Sequence, residues 1–470
     1  MGFAGIISSA VNWILNLGAA TMLPIIIIIF GLILGQGFKK SFKSGITIGI
    51  GFTGLNLVIG LMSDSVGKAA QQMIANLGIN LKIIDVGWPV GAAITWATPI
   101  AVILVPIIFL FNMLLLYLKQ TKTMDVDIWN YWHFIFCGAL IYYASNKNLA
   151  FCIIGTIITA YIIFKLADWT QPVVEHYFGL PGVSLPHCET VNFAPLMYAL
   201  NKIEDKIPGF NKIDIDEKKI NEKFGVFGEP MTVGLIIGVV MGILARYSVA
   251  KTLTMGIQLA AVMVLMPRMV SLLMEGLLPI SEGARDFISR KFPDRDDIYI
   301  GLDAAIVIGN PSNMAVALIM VPITIFLSII LPYNQMLPLV DLAVLPFTVI
   351  WAVAASKGNI FRGIINSIIT MLGVFFIATD LGALTTTIAK SVNFAFPEGA
   401  TMISGIDMSC HVFLYFGVKL LTSSTFLFGV IGILVYFAIW YWVRNDIRKI
   451  YHLDKNYKPL PDSGDVKNEK

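Results

Sequence analysis

Long apolar blocks alternate with short polar segments along the 470 residues of the chain. Eleven blocks approach or exceed the roughly 20 residues that a helix needs to cross a bilayer. We place these spans at 22–36, 44–63, 93–118, 130–146, 149–166, 230–246, 254–275, 304–331, 337–355, 363–379 and 424–443. The pattern predicts an all-α polytopic membrane protein with about eleven transmembrane helices.

The two ends of the chain differ from these blocks. Residues 3–17 place apolar side chains at helical spacing opposite two asparagines, which predicts an amphipathic interfacial helix within residues 1–20. Residues 451–470 are polar and of mixed charge, so we expect a disordered cytoplasmic tail. The longest polar stretch between blocks, roughly 200–229, is too short for a soluble domain.

The composition excludes a soluble enzyme and gives no support for a nucleic-acid-binding protein. Apolar residues make up 57% of the chain and charged residues 13%, with a formal net charge of only +3. Soluble domains carry about 25% charged residues. Four scattered cysteines form neither a disulfide framework nor a zinc-binding spacing, so we expect no metal and no cofactor. They are Cys137, Cys152, Cys188 and Cys410.

The positions of the Lys and Arg residues predict the orientation in the membrane. An odd number of spans with a cytoplasmic C-terminus puts the N-terminus outside. The inside segments then hold 24 of the 33 basic residues, the outside segments hold six, and three lie within or beside spans. This bias is the one that the positive-inside rule expects.

Three short similarities recur in order along the chain at shifts of 211, about 216 and 217 residues. The pairs are Gly31 and Gly45 with Gly242 and Gly256, 101–107 with 315–323, and 182–198 with 399–415. Five spans in each unit would turn the second unit upside down. We therefore predict inverted repeats at about 22–200 and 230–415, followed by a final helix, an arrangement typical of alternating-access transporters.

Gly and Pro interrupt the apolar blocks at corresponding places in the two predicted repeats. The interrupted segments are 85–99 with 300–313, and 179–190 with 396–407. At membrane depth, broken backbone is stable only where protein or water satisfies its polar groups. One hypothesis is that the segments are re-entrant hairpins whose tips line a solute cavity. The other is that they are ordinary loops outside the membrane.

Ionisable side chains in or beside spans are candidates for function because they are costly in a bilayer. The Asp303 carboxylate could accept hydrogen bonds from two vicinal hydroxyls of a polyol or sugar, or it could cap a helix. His187 can both donate and accept hydrogen bonds at a hairpin tip, as a ligand-binding or a structural residue. His133 fits a binding site or an aromatic belt. Our candidate substrate-binding residues are Thr95, Asn130, His133, His187, Glu189, Asp303 and Asn310.

Several motifs together resemble one bacterial family. They are Asp85-Val86-Gly87-Trp88-Pro89, Asp125-Val126-Asp127-Ile128-Trp129-Asn130 with Trp132-His133, Phe227-Gly228-Glu229-Pro230, Leu265-Met266-Pro267-Arg268 and Ile300-Gly301-Leu302-Asp303. From about residue 8 to 450, the chain resembles the galactitol-type IIC component of the phosphoenolpyruvate-dependent sugar phosphotransferase system (PTS). That family is related to the ascorbate-specific IIC permeases.

The resemblance implies a multi-pass permease of the bacterial plasma membrane that is not an enzyme by itself. Its substrate would be galactitol or a related hexitol, pentitol or sugar, phosphorylated during uptake. Separate IIA and IIB proteins would deliver the phosphoryl group from a phosphohistidine and a phosphocysteine. The resemblance also implies a homodimer with an elevator mechanism, in which a core domain carrying the substrate moves against a dimerising scaffold.

The resemblance assigns site residues and also shows where this chain departs from the family. The family's Pro-His pair, its Gly-Leu-Asp and its tryptophan-asparagine-histidine helix fall on Pro186-His187, Gly301-Leu302-Asp303, and Trp129, Asn130 and His133. After the Pro-His pair, galactitol permeases typically have Gly-Thr-Ser, whereas this chain has Cys188-Glu189-Thr190. After Gly-Leu-Asp they often have a proline, whereas this chain has Ala304. A histidine found later in those permeases is replaced in this chain, near Asn310. A related polyol is therefore nearly as well supported as galactitol.

We expect no catalytic residue in this chain, because the resemblance puts the phosphoryl donor on IIB. Asp303 or His187 would position the substrate hydroxyl or act as its base. The basic inner loops 202–223 and 285–295 are candidates for docking IIB, in particular through Arg290, Lys291 and Arg295. The alternative function is an ion-coupled secondary transporter, with a cation site supplied by carboxylates near Asp303 or Asp407.

Overall fold

The computed structural model describes most of the chain. The described residues are 24–62 without 26, 30 and 33, then 64–65, 68–69, 72, 76, 82–213, 215, 230–291, 297–392 without 339, 394 and 401–454. The predicted interfacial helix at 1–20, the residues after 454, the start of the hairpin at 396–407 and Arg295 lie outside these ranges.

The described chain is mostly helical. The helices are α1 Phe38–Met62, α2 Trp88–Ala97, α3 Ala101–Tyr117, α4 Ile128–Ala144, α5 Leu149–His176, α6 Cys188–Val191, α7 Ala194–Glu204, α8 Pro230–Leu244, α9 Val249–Lys291, α10 Pro311–Ile330, α11 Leu345–Thr348, α12 Ile350–Ala355, α13 Ile360–Ser391, α14 Ile406–Ser409, α15 Val412–Lys419, α16 Phe426–Val443 and α17 Asp446–Ile450. Short 3₁₀ helices lie at Phe210–Lys212, Ala304–Ile306 and Asp341–Val344.

Four helical segments within the described residues are long and apolar enough to cross a membrane. They are Leu149–His176, Pro311–Ile330, Ile360–Ser391 and Phe426–Ile450. Shorter apolar helices accompany them, for example Ile103–Tyr117 and Val249–Val262. This confirms the predicted class, a helical membrane protein.

Local chemistry explains where several helices begin and end. Asp127 caps α4 by accepting the Trp129 N–H at 3.1 Å, and Asn148 caps α5 by accepting the Ala150 N–H at 3.0 Å. These caps satisfy N–H groups that have no partner within the helix. Helix α2 ends at Ala97 and is followed by Thr98, whose backbone is extended, as expected for a residue before proline.

The structure differs from the predicted spans in three places. The predicted span 93–118 is divided between α2 and α3, and 337–355 consists of short helical segments. Helix α9 continues to Lys291, so the prediction of a loop over 285–295 was wrong for residues 285–291. Polarity marks where a span leaves the bilayer but does not end a helix, and Ala284 and Arg285 are good helix formers.

Six short strands form two parallel sheets that the sequence analysis did not predict. They are β1 Ile83–Asp85, β2 Thr123–Asp125, β3 Val183–Ser184, β4 Tyr299–Gly301, β5 Met336–Leu337 and β6 Met402–Ser404. Their orders are β5-β1-β6 and β2-β4-β3. Each central strand thus comes from the opposite half of the chain to its two neighbours. Strands of two or three residues are too short to show an alternating pattern.

Two helical regions surround the sheets. Helix α9 packs along both α1 and α8, and these three helices contact the rest of the chain mainly through α10 and the turn at Ala304–Ile306.

The second region contains the deepest core, which lies around α4, where Trp132, Phe134 and Phe136 are fully buried. Helix α4 also packs against α2, α3, α5 and α13, so its side chains reach the centre of the molecule.

Candidate functional site

The carboxyl ends of β2, β3 and β4 bring three loops together, because parallel strands end at the same edge of a sheet. Asp125 pairs in register with Gly301, and Ser184 pairs with Gly301 from the other side. A Cβ atom on Gly301 would lie only 2.9 Å from both the Asp125 Cα and the Pro186 Cγ. Only glycine permits this close approach.

Asp303 follows β4, and its two carboxylate oxygens have different partners. Its Oδ1 accepts the Ala305 N–H at 2.7 Å and caps the turn at Ala304–Ile306. Its Oδ2 lies 3.5 Å from the His187 Nε2. The Asp303 N–H donates to Asp127 Oδ2 at 3.1 Å, which fixes the loop against the start of α4. One oxygen is therefore structural and the other faces a histidine.

The two segments predicted as hairpin tips, at 184–191 and 404–409, are built alike, and we keep the name hairpin tips for them. Strand β3 leads into α6 and β6 leads into α14, both helices of four residues, and Glu189 and Asp407 are the second residues of these helices. Asn192 joins the tips, since its Nδ2 donates to the Cys410 carbonyl at 2.8 Å and its Oδ1 accepts the Val412 N–H at 2.9 Å.

Three histidines meet between the tips. His133 Nδ1 lies 3.2 Å from the His411 Nε2 and 3.5 Å from the Asp407 Oδ1. The His133 and His187 ring centroids are 4.5 Å apart, edge to face, and His187 Nδ1 lies 4.0 Å from the Glu189 Oε2. We call this group the central polar cluster: His133, His187, Glu189, Asp303, Asp407 and His411.

Aromatic rings form the apolar surroundings of the central polar cluster. Phe347 stacks on His187 with ring centroids 5.7 Å apart, and Trp132 lies 4.0 Å from the His133 ring centroid. At the beginnings of α2 and α4, Trp88 and Trp129 pack edge to face at 5.9 Å. The polar groups are thus held in a largely water-excluded environment.

Several polar atoms of this region are buried without a hydrogen-bond partner. They are His187 Nδ1, Glu189 Oε1, Asp407 Oδ1, Trp129 Nε1, Asn130 Oδ1 and Asp125 Oδ2. Such groups cost about 1–3 kcal/mol each when buried unpaired. The Asp303 side chain, in contrast, is 14% exposed. The arrangement offers carboxylate acceptors and ring nitrogens that can accept or donate, which is the complement of a ligand with several hydroxyls.

Comparison with known proteins shows the family of the chain. Residues 13–399 match the family of PTS system sugar-specific permease components. The chain belongs to this family. It is 41% identical over 400 residues to the galactitol-specific EIIC component of the PTS of Escherichia coli (strain K12), covering 85% of this chain and 88% of that protein. It is also 37% identical over 424 residues to a putative permease IIC component of the same strain, covering 90% and 95%.

Family membership confirms the resemblance noted in the sequence. The permease component is a multi-pass membrane protein and a transporter subunit of the PTS. Phosphorylation in this system is carried out by a separate IIB protein, so IIA and IIB proteins are its partners. The prediction that the chain is not an enzyme by itself is therefore confirmed.

The structure brings four of the predicted site residues of the permease component together: His133, His187, Glu189 and Asp303. Asn130 lies beside them and donates to Asp125 Oδ1 at 2.8 Å. Described contacts do not join Thr95 or Asn310 to the central polar cluster. The Thr95 hydroxyl donates to the Gly91 carbonyl at 2.7 Å, and Asn310 caps α10 by accepting the Asn313 N–H at 3.2 Å.

The sequence analysis did not select His411 or Asp407 as substrate-binding candidates. His411 lies 278 residues from His133 along the chain, so no local spacing could have revealed their contact. Asp407 was considered only as part of a cation site. In the structure Asp407 corresponds to Glu189, because each is the second residue of a four-residue helix. The shift of 217 residues between the predicted repeats pairs Asp407 with Thr190 instead, so the sequence alignment did not reveal this correspondence.

The same side chains include sets that could hold a metal ion. His133, Asp407 and His411 form one set, and His133, His187 and Glu189 form another, each with ligand atoms within 4.8 Å of one another. The expectation of no metal rested on spacing along the chain, which does not reveal such sets. Histidine and carboxylate ligands fit a transition metal, but they equally fit a neutral ligand with hydroxyls.

Proposed function

We propose that this permease component translocates galactitol or a related hexitol or pentitol and that IIB phosphorylates the substrate during uptake. The 41% identity to a galactitol-specific component supports this substrate class. Glu189 and the adjoining residues, where the chain departs from the galactitol pattern, leave room for a related sugar alcohol. They belong to the hairpin tip that carries His187.

The observation that carries the proposed site is the group of unpartnered buried atoms in the central polar cluster. A sugar alcohol would donate hydroxyl hydrogens to Glu189 Oε1 and Asp407 Oδ1 and would pair with His187 Nδ1. Each new hydrogen bond removes the cost of an unpaired buried group and adds a charge-assisted contact where the acceptor is a carboxylate. Binding then stabilises the two hairpin tips together.

Within this site we assign Asp303 and His187 to positioning. Asp303 Oδ2 faces the His187 Nε2 and is the more exposed carboxylate of the cluster. A substrate hydroxyl between them would be oriented towards a phosphocysteine of IIB, and orientation is a large part of what phosphoryl transfer requires. We propose no catalytic residue, metal or cofactor in this chain. Asn130, Thr95 and Asn310 would act through the framework that holds the cluster.

Inverted repeats of five spans each, plus a final helix, remain our proposal for the topology. The strand positions support it: β1 precedes β4 by 216 positions (83 to 299), β2 precedes β5 by 213 (123 to 336), and β3 precedes β6 by 219 (183 to 402). Each sheet combines one strand of the first half with two of the second, or the reverse. The N-terminus would lie outside and the C-terminus in the cytoplasm.

We further propose an elevator mechanism in a homodimer. The close packing of α9 on α1 and α8, with few contacts to the remaining helices, supports a scaffold made of these three helices. The core domain would comprise the two sheets and the central polar cluster. Movement of the core along the scaffold would carry the substrate between the two faces of the membrane.

Docking of IIB is assigned to Arg290, Lys291 and Arg295. The first two lie at the C-terminal end of α9, and the third lies beyond the described residues. Exposed charges mainly accelerate encounter. Reversing all three should slow substrate phosphorylation by IIB while leaving galactitol affinity unchanged. Equal loss of both would show that these residues hold the fold instead.

The experiment that tests the function is uptake into membrane vesicles containing the permease component. Galactitol should appear inside only as its phosphate, and only when phosphoenolpyruvate and the IIA and IIB proteins are supplied. Accumulation of free galactitol on an ion gradient would contradict the proposal and favour an ion-coupled secondary transporter.

A further inference from the structure

A second polar site lies away from the central polar cluster, in a cavity of about 550 Å³. It is formed by the loop after α3, the middle of α5, the beginning of β4 and the C-terminal end of α16. No residue of the central polar cluster lines it. We call it the basic cavity, and its cationic and aromatic lining includes Lys119, Lys122, Lys165, Trp169, Trp440 and Arg444.

The basic cavity carries an excess of positive charge. Its one lining carboxylate, Asp168, is already occupied: it accepts hydrogen bonds from the hydroxyls of Thr121 and Thr123 and from the Lys122 N–H. The Lys122 ammonium pairs with Asp297 at 3.4 Å. Three further cations line the cavity, and among the described residues none of them has a carboxylate within ion-pair distance. They are Lys119, Lys165 and Arg444.

Two of these cations are placed by contacts that leave their charge available. Lys165 Nζ donates to the Gln120 carbonyl at 2.7 Å, and this neutral acceptor leaves the ammonium its charge. The Arg444 guanidinium lies 3.8 Å from the Tyr441 ring centroid. Both lie on segments apolar enough to cross a membrane, where an uncompensated cation is costly unless it reaches an anion or the interface.

The rest of the basic cavity's lining is largely aromatic, and two of its rings, Phe437 and Tyr441, are exposed. Trp169 packs against Trp440 at 6.0 Å, and Trp440 stacks on Phe437 at 6.2 Å. Tyr441 is 65% exposed although it lies on a membrane-crossing segment. Trp and Tyr concentrate where the hydrocarbon of a bilayer meets its head groups. An exposed aromatic surface of this kind is suited to the head-group depth of a bilayer.

We propose that the basic cavity binds an acidic phospholipid of the surrounding bilayer. Its phosphate would lie among Lys119, Lys165 and Arg444, and its acyl chains would run along Trp440 and Tyr441. Basic pockets between transmembrane helices bind anionic head groups in this way. A free phosphate ion would use the cations but would gain nothing from the aromatic lining, so the lipid is the occupant that accounts for both parts of the cavity.

The test is lipid binding to the purified, delipidated full-length protein, measured by native mass spectrometry in a neutral detergent. Phosphatidylglycerol should bind more tightly than phosphatidylcholine with the same acyl chains. The double variant Lys165→Gln/Arg444→Gln should bind phosphatidylglycerol roughly tenfold more weakly or worse, since each basic residue near the head group contributes measurably. The matched control is Lys251→Gln, which removes an exposed cation that lies over the Tyr247 ring, outside the cavity. It should bind like the wild type.

Two further variants separate the possible occupants and protect the test against misfolding. Trp440→Ala keeps every cation and should weaken phosphatidylglycerol binding without changing any binding of inorganic phosphate. Lys119→Gln, at an exposed position, replaces the double variant if that protein does not fold.

Three results would overturn the proposal. They are equal binding of the two lipids, unchanged phosphatidylglycerol binding by the cation variants, and displacement of phosphatidylglycerol by inorganic phosphate at similar concentration. A change of oligomeric state in the variants without a change in lipid binding would also overturn it, because it would mean that a second copy of the chain covers this face.

Discussion

Asp341 and Asp303 lie beside the two small sheets, but their oxygens have different partners. Both oxygens of Asp341 accept backbone N–H groups, from Trp88 at 2.7 Å and from Asp407 at 3.1 Å. Asp303 uses one oxygen for a backbone N–H and turns the other towards His187. Asp341 is fully buried, whereas Asp303 keeps some exposure. A carboxylate beside a sheet can therefore be fully occupied by backbone N–H groups or keep one oxygen for a side chain, depending on how many backbone groups it must satisfy.

The central strands of the two sheets also differ in where an acid lies. The position two residues after β1 is Gly87, with a φ of 80°, and the position two residues after β4 is Asp303. In the first sheet the acid is Asp85, the last strand residue, and its Oδ2 accepts the Asp341 N–H at 2.7 Å. In the second sheet the strand ends on Gly301 and the acid comes two residues later. Because the acid of the second sheet lies two residues beyond the strand, one of its oxygens reaches His187 in the central polar cluster.

The largest expected effect breaks the structural side of this comparison. Asp341→Ala removes the acceptor of two buried backbone N–H groups and should lower the free energy of unfolding by about 3 kcal/mol or more. Thermal unfolding in detergent measures it. The control is Asp64→Ala, whose side chain is 74% exposed and forms an ion pair with Lys68 four residues along the chain, and which should change stability by less than ~1 kcal/mol. Equal Tm values for the two variants would show that Asp341 does not support the fold.

A second prediction compares the two hairpin tips. Glu189→Gln and Asp407→Asn each replace a buried carboxyl group that has an unpartnered oxygen with an amide of the same shape. If both acids accept substrate hydroxyls, each variant should weaken galactitol affinity by about tenfold, corresponding to roughly 1.5 kcal/mol. Equilibrium binding of radiolabelled galactitol measures it. Loss in only one variant would mean that the substrate contacts a single tip.

The smallest expected effect concerns His187. His187→Gln keeps one donor and one acceptor but loses the ring that stacks on Phe347. If orientation alone matters, galactitol affinity should fall only a few-fold, within about 1 kcal/mol. His187→Ala provides the comparison, because it removes the hydrogen-bonding groups as well. An equal loss in both variants would indicate that the ring itself, rather than its nitrogen atoms, is what the substrate requires.

The sequence predicted those features that depend on local pattern. Apolar blocks predicted the helices, and Gly and Pro located the breaks where Asp303, His187 and Glu189 lie. The contact between His133 and His411 could not be predicted, because it joins residues from the two halves of the chain. The sheets were missed because two or three extended residues leave no period. The extension of α9 to Lys291 was missed because polarity was taken to end the helix together with the span.

The most direct test of the account is galactitol binding to the purified Asp303→Asn variant. Asn caps helices about as well as Asp, so the turn at Ala304–Ile306 should persist and the Tm should stay near that of the wild type. The charge facing His187 is lost, and the affinity should fall roughly ten- to hundredfold, as expected for about 1.5–3 kcal/mol. A folded variant that binds galactitol with near-normal affinity would contradict the account and leave Asp303 with its capping role alone.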